Sequence, residues 1–400
     1  MSTAAKAHGM DGTLVEPDWP PLTLDEVSAL LGDFPECDGP FEIQSVSPRP
    51  FSAASLVSTH GGRVFIKRHH RLVRDREGLL EEHRFMAHLR ARGARAPRIL
   101  TTASGQSAIE AGEWTYEVHE AIEGVDLYGE ALSWTPFRSA AHAHSAGRAM
   151  GRLHRASQGF AAPARRPRPL VASFTIFAAQ DAAAEMERYF EARPALAGDA
   201  VTRAAGREAL AWIAPFHQEL LPHLPALLPL WTHNDLHASN LLWSGVGAEA
   251  RAVAIIDFGL ADRTSAVHDL AHAIERNMVE WLALVDDPLH PENVPVHLDH
   301  LRALLDGYES VRPLGAAETA ALAPMTALCH AEFALSEADY FLGVLHSEEK
   351  AAMASQGWLV GHARWFHSSA GRRLLDEIRV WAGGRTRRPL TRRPLKGCEP

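Results

Sequence analysis

Residues 231–262 read WTHNDLHASNLLWSGVGAEARAVAIIDFGLAD, and this stretch decides the fold. Two apolar runs, Leu241-Leu242-Trp243 and Ala252 to Ile256, flank the turn-forming SGVGAEAR, a pattern that predicts a β-hairpin. The start of one hairpin strand and the end of the other lie at the same edge of the ladder. Asn240 and Asp257 are therefore expected side by side. An amide oxygen and a carboxylate are hard ligands, suited to Mg²⁺ with phosphate oxygens completing an octahedron. Asp235, five residues before Asn240, can face the same spot without competing for the ion. Turn propensity alone would explain His233, Asp235 and Asn240, but not the arrival of Asp257 beside them.

The layout His-x-Asp-x-x-x-x-Asn followed by Asp-Phe-Gly is that of a kinase catalytic loop and its metal-binding aspartate. Such a site also needs a cation on the phosphates. Lys67, expected at the end of the strand Val64-Phe65-Ile66, is placed for that. Leu79 to Arg92 is predicted helical, closed by Gly93 and followed by Pro97. Leu79, Met86 and Leu89 share one stripe of that helix, with Glu82 in its middle. A carboxylate on a buried face is costly unless paired, and Lys67 is the expected partner. There is no Walker A sequence and no Gly-x-Gly-x-x-Gly, so the phosphate-covering loop is assigned to SPRPFSAASLV, with Ser52 and Ser55.

These residues resemble the aminoglycoside phosphotransferase/choline kinase family of small-molecule kinases, which includes homoserine kinase-like enzymes. THNDLHASNLLW is similar to that family's His-Gly-Asp-Leu-His-x-x-Asn loop, IIDFG to its metal-binding strand end, and HDLA, with Asp269, to its Asp-Leu-Ala helix start. The resemblance covers roughly residues 40 to 300. It implies an α+β, bilobal, protein-kinase-like fold, with a β-rich N-terminal lobe and a mostly helical C-terminal lobe. It also implies ATP and Mg²⁺ as cofactors. Carried over, Asp235 is the catalytic residue, Asn240 and Asp257 hold Mg²⁺, Lys67 contacts the phosphates and Glu82 orients it. Val118, His119 and Glu120 fall at the adenine hinge, and His233 and Asp269 support the loop. The chain departs from the family at Asn234, where Gly is usual, at Ala238, and at Leu260 and Ser265, where relatives often carry acids.

Four hundred residues exceed what one core usually supports. The expected division is a flexible extension over 1–22, a nucleotide-binding lobe over 23–118, a helical catalytic and substrate lobe over 119–384, and a basic flexible tail over 385–400. The net charge of −9 makes a nucleic-acid partner unexpected. Cys37, Cys329 and Cys398 are scattered, which points to a reducing compartment and no structural zinc. No apolar leader and no eighteen-residue apolar run occur, so a cytoplasmic protein without membrane contact is expected. Nothing in the sequence sets an oligomeric state. The acceptor is expected to be a small hydroxyl compound bearing an amine or an amino-acid group, met by Glu332, Glu337 and Asp339 on one helix. A protein kinase of the stress-response type and a nucleotide-binding pseudokinase are the alternatives. Histidine pairs at i, i+4 lack any recognised zinc spacing, which argues against a metal-dependent hydrolase.

Overall fold

The computed structural model describes residues 7–8 and 14–385. Its N-terminal part is one antiparallel sheet. Strands β1 (Glu42–Val46), β2 (Ala53–Thr59), β3 (Gly62–His70), β4 (Ile109–Ala111) and β5 (Trp114–Glu120) are ordered β1-β2-β3-β5-β4. Alternation puts Val57, Val64, Ile66 and Val118 on one face, where they meet Leu22, Val27, Leu31 and Phe34 in a small core. Helix α1 (Leu24–Leu31) supplies Val27 and Leu31 to it, and opens with a capping box between Thr23 and Glu26. Helix α2 (Arg76–Ala91) starts on the side chain of Asp75, which accepts from the Gly78 amide at 2.7 Å. Its predicted stripe is buried, Glu82 included, yet Phe85, Met86 and Leu89 belong to the large core of the C-terminal part.

That larger part is helical, with α3 (Ala140–Ser157), α4 (Ala182–Glu191), α5 (Ala200–Leu220), α6 (Ala266–Met278), α7 (Leu298–Glu309), α8 (Ala316–Leu328), α9 (His330–Gly343) and α10 (Ser369–Arg385) as its main helices. Two small ladders are set into it. Strands β6 (Pro229–Thr232) and β9 (Asp262–Ser265) pair with each other. Strands β7 (Leu241–Trp243) and β8 (Ala252–Ile255) form the predicted hairpin, with Ile255 opposite Leu241. The link between the two parts is stitched to the hairpin: the Val125 amide donates to Trp243 O at 2.8 Å and the Trp243 amide returns a bond at 2.9 Å. Gly124 is needed there because a Cβ would lie 2.7 Å from that of Leu242.

Three expectations change. β5 runs on to Glu120, so a lobe boundary at 118 would cut a strand. Lys67 sits inside β3, not at its end. The end of the expected extension is anchored rather than free: Trp19 stacks on His70, and Asp18 meets Lys350 at 2.7 Å and Tyr340 at 3.1 Å. Of the basic tail, Arg385 closes α10 and 386–400 lie outside the described residues. Among the described residues no helix is long and apolar enough to cross a membrane.

Candidate active site

The loop between β6 and β7 is held from below by a single buried carboxylate. Asp269, in the first turn of α6, accepts from the His233 amide at 2.9 Å and the Asn234 amide at 2.8 Å, and its Oδ2 also meets His154 Nε2 at 2.9 Å. His233 Nδ1 accepts from the Asp235 amide at 3.2 Å, which leaves its Nε2 to donate to Ile256 O at 2.9 Å. Both side chains thus bond to the backbone of this loop and its neighbouring strand end. Asn234 explains its own departure from the family pattern. Its φ is +60°, a conformation that Gly adopts freely and that Asn tolerates better than most residues. Its side-chain oxygen accepts from Thr232 at 2.8 Å, Thr264 at 3.0 Å and His268 at 3.2 Å.

Asp235, Asn240, Asp257 and Lys67 line one cleft between the sheet and the helical lobe. The Ile256 amide donates to Asn240 O at 3.0 Å, the hairpin-edge bond that puts Asp257 beside Asn240. Asn240 Nδ2 donates to the Asp235 backbone oxygen at 2.8 Å and to its Oδ2 at 3.1 Å, so the amide oxygen is left for other use. Lys67 Nζ donates to Asp257 Oδ1 at 2.9 Å. Burial is the strongest single influence and works against the ammonium, but Asp257, with Glu117 and Glu82 behind it, outweighs it and raises the lysine pKa. Burial would likewise push Asp257 up, and Lys67 instead holds it well below the carboxylate range. Asp235 follows the same logic with a different partner: burial is outweighed by Arg276, whose Nη1 lies 3.3 Å from Oδ1, and then by His237. It stays ionised at neutral pH.

The predicted Lys67–Glu82 pair is not made. Glu82 Oε1 sits 2.8 Å from Arg74 Nε and 2.7 Å from Arg165 Nη2, two buried guanidinium groups that satisfy it first. Across the ladder from Lys67, Glu117 is surrounded instead by His69 at 3.0 Å, His83 at 2.9 Å and His119 at 2.9 Å. The hinge residues do not line the cleft. Val118 is in the sheet core, His119 turns to Glu117, and Glu120 pairs with Arg98 at 2.8 Å. Of the two serines, Ser52 lines the cleft with Arg49, whereas Ser55 is buried in β2 opposite Ile66.

The three acids on α9 part company, because that helix is buried on every side. Glu332 is spent on the backbone, accepting from the Thr175 amide at 2.5 Å and the Ile176 amide at 2.6 Å; burial raises it to about 7. Asp339 faces Arg193 at 3.6 Å. Only Glu337 lines the cleft. It is joined there by residues the sequence did not announce: Arg276, His237, Trp134 and Phe333. Arg276 is buried, its guanidinium 4.2 Å over the Phe333 ring, with Nε and Nη2 unpartnered. Burial raises the Glu337 carboxyl well above its ordinary value, and its Oε2 has no partner. A single Arg between Glu275 and Asn277 near the end of a helix gives no sequence signal that could have found it.

A five-stranded antiparallel sheet over a helical lobe, with a cleft between them, defines a protein-kinase-like scaffold. The model of the phosphotransferase enzyme family (APH) matches residues 50–314, and the chain belongs to that family. A homoserine kinase of Methylobacterium radiotolerans is 29% identical over 238 residues, 59% of this chain and 61% of the relative. A homoserine kinase of Phenylobacterium zucineum is 28% identical over 311 residues, 75% and 80% of the two chains. The match thus spans about 61% of the first relative's length. Among solved structures, the microcompartment-associated aminopropanol kinase aligns with a TM-score of 0.59 at 17% identity, over 88% of this chain and 100% of that one. Amicoumacin kinase, solved in complex with AMP-PNP, Ca²⁺ and Ami, aligns at 0.52 and 14%, over 89% and 93%. These two likenesses establish the fold.

Proposed function

We propose that the protein transfers the γ-phosphate of ATP to the hydroxyl of a small metabolite carrying an amine or an amino-acid group. The observation that carries this reading is the convergence of Lys67, Asp235, Asn240 and Asp257 on one cleft. The donor set fits Mg²⁺: an amide whose nitrogen is already committed, leaving its oxygen, stands beside a carboxylate held ionised. Bound Mg-ATP would supply the phosphoryl group and neutralise charge on the phosphates. Lys67 would then divide its ammonium between Asp257 and the phosphates. Asp235, kept ionised by Arg276, would orient the acceptor hydroxyl and take its proton. Phosphoryl transfer passes through a loose transition state, so positioning and charge neutralisation carry most of the rate.

The acceptor class is read from the floor of the cleft. Arg276 offers unpartnered donors, and Glu337 an unpartnered oxygen. A buried charge and a buried carboxyl that both lack partners are costly, and a ligand carrying both a carboxylate and an ammonium would satisfy both groups, drawing the proton from Glu337 as the ammonium docks. The homoserine kinase relatives support this choice within the class. The test is a panel of hydroxylated amino acids, amino alcohols, choline and aminoglycosides with Mg-ATP, read as ADP release. A hydroxy amino acid should turn over best, and Asp235→Ala should cost roughly 10²- to 10⁴-fold in kcat. ADP release that no small acceptor raises, together with labelled protein in a cell extract, would replace this reading with a protein kinase.

A further inference from the structure

Behind the cleft, three side chains from separate elements meet in the core of the helical lobe. Glu275 lies on α6, one residue before Arg276. His330 opens α9. His362 lies in the short helix Gly361–Trp365, delivered by the wide π-helical turn Met353–Val360. All three are nearly inaccessible, at 2–3% exposure. His362 Nδ1 is 3.1 Å and His330 Nδ1 3.5 Å from the same oxygen, Glu275 Oε1. The three potential donor atoms lie within 4.8 Å of one another.

From this geometry we infer that Glu275, His330 and His362 form a binding site for a divalent transition metal, Zn²⁺ being the best match. The first argument is spacing. Zinc bonds of about 2.0–2.1 Å in a tetrahedron set donor atoms roughly 3.3 Å apart. The two His–Glu separations bracket that value, and the two rings, whose centroids lie 3.9 Å apart, would open on binding so that both nitrogens face the ion. The second is hydrogen bonding. Neither nitrogen of either ring has a hydrogen-bond partner, although a carboxylate oxygen is within reach of both Nδ1 atoms. Paired His and Glu residues that simply stabilise a core align an N–H with the oxygen; these do not. The third is donor chemistry. Two imidazoles and one carboxylate suit zinc better than Mg²⁺, which prefers oxygen ligands and water. Cys329 adjoins His330 in the chain, but its thiol turns to Thr326 O at 3.5 Å and is not counted as a ligand.

The site would act as a pin. Helix α6 carries Asp269, which supports the catalytic loop, and Arg276, which faces Asp235. Fixing Glu275 to α9 and to the 361–365 helix would hold Arg276 in place against Glu337. The scattered cysteines argue against a thiolate zinc site, and the site inferred here uses no thiolate.

The test uses untagged full-length protein, unfolded with chelator and refolded with or without Zn²⁺, then dialysed against EDTA and analysed for metal. We expect about one zinc per chain in the zinc-refolded sample. Its X-ray absorption spectrum should show nitrogen and oxygen neighbours at about 2.0–2.1 Å and no sulfur. Asp257→Asn, which alters the cleft donors, should keep the zinc, whereas His330→Gln and His362→Gln should lose it while retaining helical circular dichroism. Failure of refolded wild-type protein to retain zinc would overturn the site, as would sulfur ligation or zinc that disappears with Asp257→Asn. Should the histidine variants not fold, the wild-type stoichiometry and spectrum decide alone.

Discussion

The two walls of the cleft are built in different ways. On the helical side, Asp235, Asn240 and Asp257 come from one loop and one hairpin, tied by bonds between near neighbours and by Asp269 just downstream. On the sheet side, Glu82 also has Arg74 nearby in the chain, but the pairings that cross to the helical lobe are long-range. Lys67 reaches Asp257 across 190 residues, and Glu82 is claimed by Arg165 across 83. A wall built from local bonds is specified by spacing, whereas a wall built from distant charges depends on which cation the fold brings nearest.

The sharpest way to break this contrast is a pair of substitutions on the sheet side. Lys67→Met removes the cation facing the phosphates, and kcat/KM should fall roughly 10²- to 10³-fold. Asp257 is 41% exposed, so its carboxylate tolerates the loss and the melting temperature should barely move. Glu82→Gln should do the reverse. It leaves Arg74 and Arg165 buried without their counter-charge, and unfolding free energy should drop by about 3–5 kcal/mol in urea titration. A stable Glu82→Gln protein with a much raised KM for ATP would restore the lysine–glutamate pair and erase the distinction between the walls.

The same contrast explains what was legible in the sequence. The hairpin, the loop spacing and the buried stripe of α2 are periodic or local, and each formed as read. That Glu82 needs a cation was also legible. That the cation is Arg74 and Arg165, with Lys67 left to Asp257, was not, because three cations compete and only the packing of the segment around Arg165 ranks them. Glu332 and Asp339 missed the cleft for a related reason. Three carboxylates on one helix look like a polar face, but the helix is enclosed, and Glu332, Glu337 and Asp339 each found a separate environment. Arg276 had no pattern to betray it; its importance lies in what stands opposite.

On the helical side the contrast can be sharpened with pH. His268 is fully buried beside Asn234, and burial lowers its pKa from 6.5 to about 4. The folded-state value lies below the unfolded one, so the unfolded chain binds more protons between them. Stability is therefore complete above about pH 6.5 and is lost as pH falls toward 4, by up to about 3 kcal/mol from this group. Comparing urea titrations at the two ends of that window, His268→Asn should lose less stability on acidification than wild type. An unchanged difference would mean that other groups set the acid limit.

The smallest expected effect tests the locality of that wall most directly. Asn234 combines a left-handed backbone with a side chain that accepts from Thr232, Thr264 and His268. Asn234→Gly keeps the backbone at ease and loses those bonds together with the one its Nδ2 donates to Leu260 O at 3.2 Å; the two threonine hydroxyls, already 2.5 Å apart, partly replace them. A cost of about 1 kcal/mol is expected, with turnover close to wild type. Asn234→Ala loses the same bonds and adds the left-handed penalty, about 1–2 kcal/mol more. The order of stability should be wild type, then Gly, then Ala, in urea titration. If Ala matched Gly, the loop would be held by something other than its own backbone, and the claim that this wall is locally built would fail with it.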